Sequence, residues 1–461
     1  MGKNLGIRHI LALVMMCSTL MSYFTRLTLS TAILAMLDEK ITEKLANGTI
    51  VTIKRFEWSE KAQGIILGSF FYGYLAFQIV YGRLAETIGP RILISFSMIG
   101  TAVLNFLTPW IVNYYNWFIA SRVLMGALQA GVYSSAFMLA TKWIPDSERS
   151  TFISMAYIGG NFGTILISSI SGYLCEYGFA GGWPSVFYVT GILLSIFSIL
   201  YYCLVTNDPS EHWLIKKKEL NYIKANLKQT PISSRKKVTV PWLKILKSPP
   251  IWAGMISQFS SMWALNIFLL KLPNYIKNVL KIPIEQTGYT VSMFYMVENI
   301  SLFLGGLLSD YLIKRSPNRK GSIRKIFQSF SAFGSSLLFL IIPFIKLDVV
   351  TILLLMNAIM FTIGLISGGV APYPADLSIK FSASIFSIIN TFGMTSGFIS
   401  PYLIGYILDL DPTNLEKQWS IVWFVTAAVR IIDGIVFLCI GEAKRQKWDR
   451  SDEIESNEIV L

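Results

Sequence analysis

The 461-residue chain has few of the side chains on which soluble enzymes depend. It contains two histidines and four cysteines, and only 15% of its residues are charged, whereas soluble domains carry about 25%. All four cysteines lie within apolar runs, and no loop contains HExxH, GxSxG or a phosphate-cradling glycine–lysine pattern. These absences predict that the chain is not an enzyme and has no metal site, no disulfide framework and no cofactor.

Long apolar runs take the place of the missing polar residues. The hydrophobic fraction is 53% and the mean hydropathy is +0.54, more apolar surface than a water-soluble fold can bury. A helix crosses the bilayer with about 20 such residues. We therefore predict an all-α membrane protein with twelve transmembrane helices, near residues 8–36, 61–82, 91–113, 116–138, 150–174, 183–206, 250–276, 286–309, 324–345, 350–372, 381–408 and 418–441.

Two long connections and the ends of the chain set the predicted organisation. Residues 1–206 form an N-terminal six-helix half and residues 249–441 a C-terminal six-helix half. Between them lies a basic cytoplasmic linker at 207–248, and a cytoplasmic tail follows at 442–461. We expect one helical body built from two pseudo-symmetric halves, and a monomer.

The net charge of +13 is concentrated in the linker and in the loop after Asp310. Both stretches fall on one side of the predicted membrane, and the positive-inside rule makes that side cytoplasmic. This topology explains the basic charge without a nucleic-acid partner and places both termini in the cytoplasm. The long loop at 37–60 is then outside or lumenal, where Asn47 of the triplet Asn-Gly-Thr is a candidate glycosylation site.

A repeat relates the two halves. The stretch GRLAETIGPR begins at Gly82, and GLLSDYLIKR begins at Gly306, in the corresponding loop of the second half. A pair of GxxxG motifs, beginning at Gly159 and Gly393, recurs with a similar offset. In the loop repeat, Glu86, Arg91 and Asp310 are candidate gating residues, because acids at these helix ends can pair with nearby arginines across a cytoplasmic gate.

The motifs together resemble the major facilitator superfamily and, within it, the anion:cation symporters that include sialin, the vesicular glutamate transporters and the type I sodium-phosphate cotransporters. The resemblance runs from about Tyr23 to Trp448. It is carried by TRLTLSTAILAM, GSFFYGYLAFQIVYGRLAETIG, SRVLMGALQAGVYSSAF, KWIPDSERS, YIGGNFGT, PSVFYVTG and LGGLLSD. The resemblance implies the major facilitator fold and an anionic substrate.

Two arginines within predicted spans indicate where that anion binds. Arg26 lies near the centre of the first span, where an unpaired cation costs roughly 2.5–3.5 kcal/mol. Arg122 lies about two turns inside the fourth span. A guanidinium group binds carboxylate or phosphate with two parallel hydrogen bonds, which lysine cannot imitate. In the resembled family, arginines at these two motif positions are associated with anion recognition. The alternative is that each arginine pairs with a carbonyl group or a helix end.

Aromatic and amide side chains complete the candidate substrate site. Tyr23 lies on the same helix face as Arg26, and Phe70, Tyr74 and Tyr157 occupy aromatic positions of matching motifs. A packing role is the alternative for each of these rings. Proton-coupled relatives tend to carry glutamates on the fourth span, where this chain has Met125 and Gln129. We include Gln129 in the substrate site, and the loss of both acids slightly favours sodium over protons as the coupled ion.

New charges appear in the second half. Glu298 lies near the middle of the eighth span and is a candidate for cation coupling, because a carboxylate at this depth needs a proton or a cation beside it. The alternative is a structural partner for Lys271. Arg430 and Asp433 lie one turn apart and are expected to neutralise each other.

The sequence therefore predicts a secondary active transporter of small anions such as phosphate or carboxylates, coupled to sodium or protons and working by alternating access. A transport-inactive receptor or scaffold is the alternative. The expected partners are a small anionic solute, the coupled ion and the lipid bilayer. The expected location is the plasma membrane or an acidic endomembrane such as that of a lysosome or vesicle.

Overall fold

The structure, a computed structural model, describes residues 6–38, 40–44, 50–54, 56–144, 149–226, 241–345, 348–378, 381–446 and 448–449. For some residues inside helices and strands it describes the backbone alone. The candidate glycosylation site Asn47 lies outside the described residues, as do residues 447 and 450–461 of the predicted tail.

Helices make up most of the described chain. The first part contains α1 (Ile7–Asp38), α2 (Glu60–Ile88), α3 (Pro90–Ile111), α4 (Tyr115–Gln129), α5 (Val132–Trp143), α6 (Arg149–Tyr177), α7 (Trp183–Leu204) and α8 (Lys217–Asn226). The second contains α9 (Trp242–Leu246), α10 (Pro249–Asn266), α11 (Leu272–Asn278), α12 (Ile284–Arg315), α13 (Lys320–Ile341), α14 (Val349–Gly364), α15 (Tyr373–Leu377), α16 (Ser382–Met394), α17 (Ser396–Asp409) and α18 (Leu415–Ile440). A π-helical turn, Ile267–Lys271, joins α10 to α11.

The predicted helical membrane fold is confirmed. Eight helical runs in the described residues are long and apolar enough to cross a membrane: Ile7–Asp38, Pro90–Ile111, Trp183–Leu204, Pro249–Asn278, Ile284–Arg315, Pro317–Phe344, Val349–Leu377 and Leu415–Ile440. Each of the twelve predicted segments coincides with one of the helices or with a broken pair of helices. The count of twelve spans itself stays a prediction.

The sequence analysis did not predict an element in the loop after α1. There, β1 (Lys40–Lys44) pairs antiparallel with β2 (Ile50–Lys54), so that Thr42 lies opposite Thr52. β-Branched residues in both segments, Ile41 and Thr42 in β1 and residues 50–53 in β2, favour this pairing. The hairpin lies between the first two helices and brackets the sequence that contains Asn47.

By its internal contacts the chain divides into two compact units. One unit comprises Met1–Arg235 with Ile282–Ser292, and the other comprises Lys236–Lys281 with Met293–Leu461. The first part of α12 is thus grouped with the N-terminal unit. The sequence-based boundaries at 206 and 249 stay a prediction, since a division by contacts does not test where the linker begins.

Glycines set the closest helix crossings of the first unit. A Cβ atom on Gly159 or Gly163 of α6 would collide with the backbone of α1, at the carbonyl groups of Met16 and Leu20. Small residues let helices approach to backbone contact in this way. The GxxxG motif in α6 therefore holds α1 at a fixed distance, and Tyr23 of α1 packs against the same surface of α6.

A second close crossing joins α2 to α4. A Cβ atom on Gly73 would collide with the carbonyl oxygen of Val123, and one on Gly126 would collide with that of Phe70. The two backbones therefore touch at reciprocal glycines. This contact lies within one helical turn of Phe70 on α2 and Arg122 on α4, so it fixes how near these two side chains come.

We predict that Gly126→Ala destabilises the protein by about 1–3 kcal/mol, because the added methyl group forces α2 away from α4. Gly321→Ala is the matched control, since nothing lies within 4 Å of a Cβ atom at Gly321. The measurement is the denaturation midpoint of the purified protein in detergent. Equal midpoints for the two variants would contradict the close crossing.

Candidate functional site

Arg26 is buried in the first unit among aromatic rings. Its side chain is 4% exposed. The guanidinium carbon lies 4.8 Å from the ring centre of Tyr23, 5.1 Å from Tyr74, 5.2 Å from Phe70 and 5.5 Å from Phe71. Each such contact contributes about 0.5–2 kcal/mol, depending on desolvation. The rings stabilise the cation, and the Tyr74 hydroxyl also lies within hydrogen-bonding reach of the guanidinium group.

The Arg26 guanidinium has a free edge. Its Nε and Nη2 atoms are buried and have no hydrogen-bond partner. These two nitrogens lie side by side on one edge of the planar group, so their N–H bonds point in parallel. This is the donor pair that binds the two oxygens of a carboxylate or phosphate.

Arg122 lies next to Arg26 and is 1% exposed. Its Nη1 donates to the backbone oxygen of Thr25 at 3.3 Å, and its Nη2 donates to the backbone oxygen of Arg26 at 3.4 Å. Its guanidinium carbon is 5.5 Å from the Phe70 ring centre, so both arginines contact the same ring. The Nε atom has no partner. Two cations thus contact one aromatic side chain.

Gln129 adds another free donor. It is fully buried two turns after Arg122, and its Oε1 accepts a hydrogen bond of 2.7 Å from the Ser22 hydroxyl. Its Nε2 has no partner. In the part of this site that the structure describes, free N–H donors therefore remain on three side chains, Arg26, Arg122 and Gln129. No carboxylate contacts either arginine there.

The structure brings most of the predicted substrate residues together. Phe70 and Tyr74 are buried and stack at 6.1 Å, and Tyr23 is partly buried beside them. Tyr157 lies in α6, but its side chain is not among those described. The sequence analysis missed Phe71, which reaches the same guanidinium group. Its position directly after Phe70 gave no reason to choose it, because adjacent residues on a helix usually face different ways.

A third buried arginine, in the second unit, shows the contrasting arrangement. Arg430 and Asp433 are both fully buried, and Nη1 lies 3.1 Å from Oδ2. Arg430 also donates to Ser261, Ser331 and Ser335, and Asp433 accepts hydrogen bonds from Ser257 and Gln328. The expected mutual neutralisation is present in this structure, with each charge hydrogen-bonded several times.

Glu298 is buried in α12 of the second unit, at 4% exposure. Its backbone oxygen is close to Gly364 of α14. One turn earlier on α12, the Tyr295 hydroxyl donates to the backbone oxygen of Leu265 at 3.3 Å, just before the π-helical turn. That turn carries Lys271, which is 1% exposed. Single π-turns are frequent at functional sites. The choice between a coupling role for Glu298 and a structural one stays open.

The candidate gating residues occupy different surroundings. Arg91 donates from Nε to the backbone oxygen of Tyr202 at 2.9 Å and lies over the Tyr202 ring. Asp310 is exposed. Glu86 lies in α2, and its side chain is outside the described set. Gating by these three residues stays a prediction.

An ion-pair cluster that the sequence analysis missed lies nearby in the second unit. Asp376 pairs with Arg324 at 2.8 Å and also with Lys320. Arg324 further donates to the Ser309 hydroxyl and to the Gly368 backbone oxygen. Ser309 directly precedes Asp310, so this cluster holds the end of the same loop motif.

We predict that Asp433→Asn destabilises the protein by about 3–5 kcal/mol, because it leaves Arg430 buried without its counter-charge. Exposed Glu442, replaced by Gln, is the matched control. The double variant Arg430→Met, Asp433→Asn should lose less than the sum of the two single variants, because both charges leave together. Chemical denaturation is used to measure the stability of the wild type, Asp433→Asn, Arg430→Met, the double variant and the Glu442→Gln control. Additive losses would refute the pairing.

Comparisons with known proteins identify the family of the chain. The model of the Major Facilitator Superfamily matches residues 15–401. The chain is 30% identical to sialin of Ovis aries over 461 residues, which cover 96% of this chain and 91% of that protein. It is 31% identical to a "putative inorganic phosphate cotransporter" of Drosophila melanogaster. This match extends over 403 residues, 87% of this chain and 76% of that protein.

Solved structures show the same fold. The chain superposes on a bacterial homologue of the human lysosomal transporter Spinster, in an inward-facing and occupied conformation, with a TM-score of 0.72. The match covers 94% of this chain and 96% of that chain at 13% identity. With the buried arginines and the apolar helices, these matches make the protein a membrane transporter rather than an enzyme. The chain belongs to the major facilitator superfamily, within its anion:cation symporter family.

Proposed function

We propose that the protein is a secondary active transporter of small organic or inorganic anions, with Arg26 and Arg122 as its anion-binding groups. The supporting observation is the free two-pronged edge of a buried arginine that has a second buried arginine beside it. Desolvated cations of this kind are stable only when an anion neutralises their charge or strong acceptors bind their N–H groups. The substrate itself supplies that charge.

The chemistry of the free donors favours an oxyanion. Arg26 offers two parallel N–H bonds, and Arg122 and Gln129 each offer a further donor. Phosphate and carboxylate both match such a set. The names of the relatives fall in the same class, since one is called an inorganic phosphate cotransporter. Tyr23, Phe70, Tyr74 and Tyr157 then form the walls that orient the anion.

A coupled cation follows from the energy of anion entry. Moving one negative charge into a cell held at 100 mV negative costs about 2.3 kcal/mol. Sodium or protons can supply this energy, and buried Glu298 is our candidate for the coupling group. Met125 within α4 and Gln129 at its last position are neutral, which favours sodium over protons as the coupled ion.

The proposed topology follows from the charge pattern. The basic linker and the loop after Asp310 face the cytoplasm together with both termini, at the plasma membrane or at a lysosomal or vesicular membrane. Glu86, Arg91 and Asp310 then lie on the cytoplasmic side, where alternating access requires a gate. A transport-inactive receptor is not favoured, because such a protein would have no need to keep two uncompensated buried cations.

We predict that Arg26→Lys and Arg122→Lys each raise the KM for phosphate or carboxylate uptake at least about tenfold, because an ammonium group cannot form the two-pronged contact. Purified protein in proteoliposomes, loaded with a labelled anion under a sodium gradient or a pH gradient, provides the measurement. Exposed Arg315, replaced by Lys, is the control. If both site variants transport like the control, these arginines do not bind the anion.

We also predict that Glu298→Gln abolishes the dependence of uptake on the driving cation. Anion exchange measured in the absence of a cation gradient should be unchanged in this variant. Exposed Glu57, replaced by Gln, is the matched control. Uptake is measured with sodium and pH gradients imposed separately. Unchanged gradient dependence in Glu298→Gln would assign Glu298 a structural role and leave the anion site unaffected.

A further inference from the structure

A short segment after α7 exposes apolar and basic side chains together. Trp213 is 72% exposed and Leu214 is 46% exposed. Lys216, Lys217 and Lys218 follow immediately, and all three are exposed. We call residues 213–218 the basic anchor. Trp213, Leu214 and the three lysines all face outward, so packing within the unit explains neither their apolar nor their charged surface. Ile215, which lies between them in sequence, packs against the core of the unit.

The basic anchor is held in place from both sides. Before it, the buried His212 ring contacts the backbone oxygen of Leu204 through Nε2 at 3.0 Å, and its Nδ1 accepts the Leu214 N–H at 3.2 Å. The last two residues of the basic anchor begin α8, which is docked by Ile223, fully buried in the core of the first unit with Leu11 and Tyr201. The exposed side chains therefore project from a fixed backbone.

The docked helix also reaches α1. The Glu219 carboxylate accepts the N–H of Ile7 at 3.0 Å and the N–H of Arg8 at 3.1 Å. The first four N–H groups of a helix have no partner within the helix, and a carboxylate there is favoured by the helix dipole as well. The first turn of α1 has no acidic residue of its own. Glu219 thus caps the helix that carries Arg26, and it lies one residue beyond the basic anchor.

A similar pattern precedes the second half. Trp242 and Leu243 are 50% and 74% exposed, and Lys244 and Lys247 beside them are exposed as well. Trp252 donates to the Leu246 backbone oxygen at 2.8 Å and fixes the end of α9. Exposed tryptophan and leucine next to lysine therefore occur at both described ends of the linker.

This combination fits one environment, the boundary between hydrocarbon and headgroups. Tryptophan is enriched at that boundary, and lysines beside it attract the anionic lipids of the cytoplasmic leaflet. The basic anchor begins nine residues after Leu204, the last residue of α7, which is an apolar helix long enough to span the membrane. A soluble acidic partner would use the lysines, but it would leave Trp213 and Leu214 in water.

We propose that the basic anchor binds anionic phospholipid headgroups of the inner leaflet, with Trp213 and Leu214 inserted beside them and Lys216, Lys217 and Lys218 contacting phosphate or carboxylate groups. The assignment to the inner leaflet rests on the proposed topology. Because α8 caps α1 through Glu219, lipid binding at the anchor also stabilises the start of the helix that carries Arg26.

Amide hydrogen exchange of the full chain in nanodiscs tests this proposal without depending on transport. We compare phosphatidylcholine discs with discs that also contain phosphatidylserine. Exchange of residues 213–220 and of Ile7–Leu11 should slow at least about threefold in the anionic discs, since each lysine near such a surface strengthens binding by roughly fivefold. High salt should remove the difference.

Two triple variants make the test specific. Replacing Lys216, Lys217 and Lys218 by Gln should abolish the slowing, and replacing them by Arg should retain it. Glycerophosphoserine, which has the headgroup without acyl chains, should not reproduce the effect in phosphatidylcholine discs. Equal exchange in both discs, or slowing that persists in the Gln variant, would overturn the proposal. Anion uptake by the same variants in proteoliposomes reports separately on the proposed transport function.

Discussion

Positive charge buried without its own counter-ion is the constraint on which this structure depends. An ion removed from water costs several kcal/mol unless another group compensates it. Arg430 shows the internal solution, with Asp433 in contact and serine hydroxyls around both groups. Arg26 and Arg122 have carbonyl oxygens and aromatic faces instead, and they keep unpartnered N–H groups. In the part of the first unit that the structure describes, these two cations have no carboxylate beside them, as the proposed site for a transient anion would require.

The backbone makes this arrangement possible. Gly73 and Gly126 bring α2 and α4 into backbone contact, and Gly159 and Gly163 do the same for α6 and α1. Larger residues at these positions would separate the helices and take the aromatic rings away from the guanidinium groups. The rings cover the faces of Arg26 and leave one edge uncovered, so the cation is held while its two-pronged donor stays available. Packing of small residues thus sets the geometry of the proposed anion site.

Hydropathy and charge asymmetry were enough to predict the helical fold, and the two arginines selected from apolar runs lie next to each other in the structure. Those features are local in sequence, and a charge within a span has few explanations. The reciprocal contact of Gly73 with Gly126 and the approach of Phe71 to Arg26 were not predicted, because both depend on how two distant helices are rotated. The same reason applies to Asp376, whose partners Lys320 and Arg324 come from another helix. The docking of α8 on α1 by Glu219 joins residues far apart in sequence, which no local pattern reveals.

The most direct test of the central claim is the thermal stability of the purified wild-type protein as a function of anion concentration. An anion that completes the two arginines binds the folded state and stabilises it, by about 2.7 kcal/mol at a hundred times its Kd. The account predicts that Tm rises steadily with phosphate or with a small carboxylate and stays constant with choline chloride at equal ionic strength. A Tm that responds to none of these oxyanions, or equally to choline chloride, would contradict it.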